Sequence, residues 1–280
     1  RPLKVPELMQ HEASIYDRRE SQRIPNLIDT ATQGLASLHS PWFRTYLKRF
    51  FTRIVILGLP FHLLAGLGLG AVATYFSFNM ELGSVALNDV GQIEVKRFIV
   101  PTFFEQMLSG FGVVLYRALI PLFTCICVAA RAGTAVTAYL SEMRDANKRQ
   151  WEALENFGVP PLWFFLPQLI LCFSAGCFIL SYLSFWCASI GSLFVAMTTN
   201  PLCTFYTWRD TYWATLKPSG YLWFEGTEMF MLKTMVSGLC IAVISAYYGS
   251  KPRKTSLETM SNLSGANVMS VLVILVVFLS

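Results

Sequence analysis

Between residues 156 and 208 the chain carries no Asp, Glu, Lys or Arg, a run of 53 residues. A soluble fold turns back through water every few dozen residues and sets charged side chains there; hydrocarbon imposes the opposite demand. Three further runs, 54–80, 234–250 and 259–280, are equally free of these four residues. A bilayer core about 30 Å thick needs roughly 20 apolar residues per helix, with every backbone polar group satisfied inside the element. Apolar residues make up 54% of the chain and charged residues 14%. The fold class that follows is an all-α polytopic membrane protein.

Residues 1–40 are polar, with charges of both signs, and read as a cytoplasmic or interfacial segment; residues 41–280 hold everything else. In PWFRTYLKRFFTR, Trp42, Phe43, Tyr46, Leu47, Phe50 and Phe51 share one helical face, while Arg44, Lys48 and Arg49 take the other. Such a helix lies in the membrane interface, with Trp42, Arg44, Lys48 and Arg49 as its expected anchors; the bland option is an amphipathic helix on the protein's own core. Five spans are expected, at about 54–78, 111–140, 162–197, 229–248 and 264–280. The stretch 162–197 counts as one span, although at 1.5 Å per residue it is about 54 Å long and must tilt, bend or extend past the lipid. In the first span Gly66 and Gly70 form a small-xxx-small pair suited to close helix approach. His62 beside them reads more simply as a hydrogen-bonded interior histidine than as a proton relay. The loop 79–110 carries an interfacial or re-entrant piece at 98–104. The loop 198–228 is dense in Trp, Tyr and Phe and reads as a membrane-surface belt. The chain opens on Arg1, so residues upstream are expected, and a short piece beyond Ser280 as well.

Orientation follows from the cations. With a cytoplasmic N-terminus, the inner segments hold fifteen Lys and Arg and the two outer loops four, as the positive-inside rule requires.

Three cations remain inside spans: Arg117, Arg131 and Lys233. Thirteen uncharged residues separate Arg131 from Arg117 and ten separate it from Glu142, so it sits roughly 15 Å inside the apolar stretch, near mid-bilayer. A charge there faces a bundle interior, a cavity or a partner. Cations at several depths suit a path for anionic headgroups, against the plainer role of snorkelling anchors for Arg117 and Lys233. Ser141 to Val159 then surfaces as a short charged handle between two spans. In it Trp151, Leu154 and Phe157 fall roughly on one helical face and expect a partner surface. Phosphate-loop, zinc-protease, hydrolase-elbow and EF-hand patterns are absent, and three scattered histidines suit no metal site. Six of the seven cysteines lie in apolar segments and read as buried hydrophobes. An enzyme is not expected.

The run YRALIPLFTCICVAARAGTAVTAYLSEM resembles the second span of the MlaE/YrbE permease family. Arg117, Leu119, Pro121, Arg131, Gly133, Ala135, Ala138, Leu140 and Met143 stand in matching positions. Ala153, Leu154, Gly158, Val159 and Pro161 match the family's coupling stretch, and Leu232, Lys233 and Thr234 resemble its later Ile-Lys-Ser. The resemblance covers about two fifths of the chain closely. It implies a permease domain over 41–280, part of an ABC-type lipid transporter that works with an MCE-domain protein on the outer face. It also implies a second permease chain, an ATPase dimer carrying ATP and magnesium, membrane lipids as partners, and no cofactor or nucleic acid on this chain. The ATPase would dock on the handle through Arg144, Trp151, Glu152, Ala153, Leu154, Phe157 and Gly158. Ala118 and Tyr139 replace glutamates usual in the family, and Pro160 replaces an aspartate, which points to a divergent branch, with the second permease chain either a copy of this one or a different chain. The implied location is the inner membrane of a bacterium, with the plastid inner envelope as second choice. The competing classes are an ion-gradient-driven carrier and a membrane scaffold.

Overall fold

The computed structural model describes residues 41–84, 108–144, 150–156, 161–199, 203–214, 216–217, 224–251 and 256–280. Contacts divide the chain into Arg1–Arg44, of which only 41–44 are described, and Thr45–Ser280. Every regular element among the described residues is helical. Among the described residues five helices are long and apolar enough to cross a membrane: Phe43–Phe76, Leu108–Met143, Phe164–Thr199, Thr227–Gly249 and Glu258–Leu279. They are called the first to fifth spans below. Two short helices complete the set, Gln150–Asn156 in the handle and Phe205–Tyr212 before the fourth span.

The expected count holds, and the edges move. The first span begins some ten residues early, because the basic helix Pro41–Phe51 runs straight on into Thr52–Ile56 and Leu59–Ser84. Its apolar face is taken up by the bundle. The Tyr46 ring meets Phe164 and Phe165 edge-on at 5.7 and 5.8 Å, and Phe50 meets Tyr139 at 5.9 Å. Arg44, Lys48 and Arg49 are exposed. The side chain of Trp42 and the piece at 98–104 lie outside the described residues. The long apolar stretch is a single helix, Pro161–Thr199, which at 1.5 Å per residue is about 58 Å long.

Hydrophobicity alone does not hold helices together in lipid, so small residues and backbone approach must. The first span buries Ile54, Gly58, His62, Gly66, Gly70 and Thr74, one residue at each fourth position. This is the i±4 ridge of a helix, and its small members let the third span come close. A Cβ on Gly66 would strike the Ser184 carbonyl and hydroxyl, one on Gly70 the Ala188 carbonyl, and one on Gly191 the Leu67 carbonyl. The fourth span follows the same logic, with a Cβ on Gly238 falling 2.5 Å from the Phe173 carbonyl. Its buried face includes Thr234, Ser237, Gly238, Ile241, Ala242 and Ser245.

Two apolar clusters fill the bundle. Phe50, Val128, Phe165, Phe173 and Ile241 belong to the one toward the handle. Tyr116, Phe185, Trp208, Tyr212 and Phe230 belong to the one at the far end. The far cluster corrects the expected surface belt. Trp208 and Tyr212 stack at 4.9 Å and are buried, Phe224 is buried beside Phe185, and Tyr206 stays exposed. Packing against the third span, rather than a headgroup layer, accounts for most of these described rings. Trp208 Nε1 donates to Ser192 Oγ at 3.2 Å, and that oxygen lies 2.8 Å from Thr74 Oγ1. One polar chain thus joins the aromatic cap to the first span. Tyr221 and Trp223 lie outside the described residues.

Candidate functional site

Each intramembrane cation reaches from its own helix to the backbone of another segment. Arg117, at the end of the bundle away from the handle, donates from Nη2 to the Glu225 carbonyl at 3.4 Å. It also approaches the Glu225 carboxylate at 3.9 Å, with both side chains largely exposed. A pair of that geometry contributes little to stability. Its seat is built by Gly226, whose φ of 85° lies in the left-handed region that glycine tolerates. A Cβ on Gly226 would fall 2.9 Å from Arg117 Nε. Beside it, the Tyr116 hydroxyl and Thr227 Oγ1 lie 2.8 Å apart. Lys233 donates from Nζ to the Phe278 carbonyl at 3.3 Å, tying the fourth span to the end of the fifth.

Arg131 is the deepest of the three. It sits in a π-helical turn, Ala129–Gly133, and donates from Nη2 to the Ile54 carbonyl at 2.8 Å. Ile54 belongs to a second π turn, Thr52–Ile56. A third, Leu115–Leu119, holds Arg117. Such turns perturb the regular i→i−4 ladder and recur at functional sites. Gly58 makes the approach feasible, since any Cβ there would collide with Arg131 Nη2. Among the described residues Arg131 Nε is buried with no hydrogen-bond partner. One helical turn beyond Gly58 on the same face, His62 is 1% exposed and lies within electrostatic reach of the guanidinium. Among the described residues neither of its ring nitrogens has a hydrogen-bond partner. Its main chain is engaged on both sides, the N–H donating to the Gly58 carbonyl at 3.2 Å and the carbonyl accepting from Ser184 Oγ at 3.0 Å. His62 is interior, as expected from sequence, but its ring makes no hydrogen bond to the described residues. Among the described residues no carboxylate stands within ion-pair distance of Arg131.

The three cations therefore share a motif rather than a site. Arg117 and Lys233 strap the far end, and Arg131 straps the first span to the second at depth. Ile54, Gly58 and His62 around Arg131, and Glu225 and Gly226 around Arg117, were not singled out as site residues from sequence. The buried four-residue repeat through Gly58, His62 and Gly66 was the signal available for the first group. Nothing local marked the second, because its partner lies 108 residues away.

At the handle, Trp151 is 9% exposed and Leu154 is half-buried against the handle-side cluster. The Arg144 guanidinium lies over the Trp151 ring, 5.4 Å from its centroid. Glu152 and Asn156 are exposed. Phe157, Gly158 and the side chain of Ala153 lie outside the described residues. At the far end, burial raises the Cys203 thiol and the Tyr212 hydroxyl above their ordinary values, so neither ionises near neutral pH.

No curated protein matches the chain. Residues 54–279 match the family described as Permease MlaE, over all five spans. The chain belongs to the MlaE permease family, an integral membrane permease of the ABC lipid-transporter type.

Proposed function

We propose that this permease carries a lipid through a path between its first and second spans and those of a second permease chain. A separate ATPase dimer, which holds ATP and magnesium, drives it from the handle. An MCE-domain protein on the opposite face exchanges the lipid, and the membrane is the inner membrane of a bacterium. Family membership supports this reading as a whole.

The observation that carries the substrate class is the state of Arg131. A cation near the middle of an apolar bundle is costly unless something anionic or polar meets it. Here the carbonyl of Ile54 satisfies one N–H, while Nε and both ring nitrogens of His62 are buried without hydrogen-bond partners among the described residues. The phosphate or carboxylate of a lipid headgroup supplies the acceptor and the charge that this corner lacks. Arg117 and Lys233 lie at the far end of the same bundle, where a headgroup would enter or leave.

The test is lipid mass spectrometry on the protein purified in mild detergent, wild type beside Arg131→Gln. Loss of a charge-assisted hydrogen bond should lower the retained anionic lipid by roughly 10- to 100-fold. An unchanged lipid content would remove Arg131 from the path.

A further inference from the structure

The handle helix turns its ring-bearing side toward its own chain. Trp151 is buried, Leu154 packs on the cluster that contains Met143 and Phe165, and among the described side chains Glu152 and Asn156 are exposed. The expectation that Trp151 and Leu154 await a partner therefore gives way to a division of labour. The inward side holds the helix to the bundle, and the polar side remains for contact from outside.

What the inward side holds is specific. Arg144 directly follows Met143, the last residue of the second span, and its own N–H closes that helix on the Leu140 carbonyl at 3.3 Å. Its guanidinium then lies 5.4 Å from the centroid of the Trp151 ring. A planar cation over an indole face is a directional contact, strongest when water is excluded, as it is around a buried tryptophan. Arg144 and Trp151 stand seven residues apart in sequence, and their contact links the handle helix, side chain to side chain, to the helix that carries Arg131 twelve residues before Met143.

We propose that Arg144 is a positioning residue, and that its contact with the Trp151 ring is the joint through which displacement of the handle helix reaches the second span. The inference rests on reading the chain as a permease driven by an ATPase at the handle. It assigns outside contact to the side bearing Glu152 and Asn156, and transmission to Arg144 and Trp151.

The experiment uses the whole transporter, permease with its co-purified ATPase, in liposomes. It reads lipid moved per ATP hydrolysed, a ratio independent of how much ATPase is bound. Arg144→Ala should lower that ratio on the order of tenfold, the scale of a desolvated cation–π contact. Arg144→Lys, which keeps a cation over the ring, should restore most of it. Trp151→Leu keeps the apolar burial without the π face and should reproduce the loss, which decides the matter if Arg144→Ala does not assemble. A ratio unchanged in both Arg144→Ala and Trp151→Leu, or two rates that fall in step, would overturn the joint and leave the transporter reading intact. If the wild-type preparation carries no ATPase and moves no lipid with ATP, the transporter reading itself fails and the joint falls with it.

Discussion

At the scale of single residues, function and packing meet at glycine. Gly58 is small because Arg131 passes over it, and Gly66, Gly70 and Gly191 are small because two backbones touch. Gly68, between them in sequence, has nothing within 4 Å of a Cβ. The contrast makes a clean prediction. Gly70→Val should destabilise the protein by about 1–3 kcal/mol through overpacking, whereas Gly68→Val should be close to neutral. Thermal unfolding of the two variants in the same detergent checks it, and equal midpoints would refute the close contact. Gly58→Ala tests Arg131 from outside its own side chain. The methyl must push Nη2 off the Ile54 carbonyl, so bound anionic lipid should drop without any change of charge. Mass spectrometry of the purified variant reads that drop directly. The Gly66–Gly70 pair was legible from spacing alone. The partner of Arg131 was not, because a backbone carbonyl on another helix leaves no mark in the sequence.

At the scale of elements, the five spans were legible because hydrocarbon imposes one rule on every residue of a span. Their ends were not, because the helix bearing Tyr46 and Phe50 is amphipathic either way and only tertiary contact shows what its apolar face meets. The aromatic loop shows the same ambiguity. Rings at this density suit an interface or a core, and here Trp208 and Tyr212 went to a core built on the third span. Tyr212→Ala should therefore cost about 3–5 kcal/mol, as loss of a buried aromatic side chain does, and the exposed Tyr206→Ala very little. Trp208→Phe should cost about 2–3 kcal/mol, since the hydrogen bond to Ser192 is lost and the smaller ring leaves a void in a buried site. Melting temperatures of the three variants order these effects. The handle was legible as an element and misread as a face. Its apolar positions follow helical spacing, but spacing does not say whether the chain itself or another protein covers them.

At the scale of the whole molecule, the bundle is held by close backbones, by aromatic clusters at both ends and by three cations that each strap one segment to another. Helices joined through small residues and single hydrogen bonds leave room for movement, and a permease requires movement. The handle belongs to the same design, since Leu154 and the contact of Arg144 with the Trp151 ring hold it to the bundle while Glu152 and Asn156 stay exposed. Class and family were legible in the sequence because they reside in composition and in the run from Tyr116 to Pro161. The assembly was not, since its other chains have their own sequences. The most direct test of the account is ATP-dependent movement of phospholipid or fatty acid by the purified complex in liposomes, with wild type beside Arg131→Gln. The account predicts transport that needs ATP and falls by roughly 10-fold or more in the variant, the worth of one charged hydrogen bond. Transport that needs no ATP, or that is equal in both proteins, would contradict it.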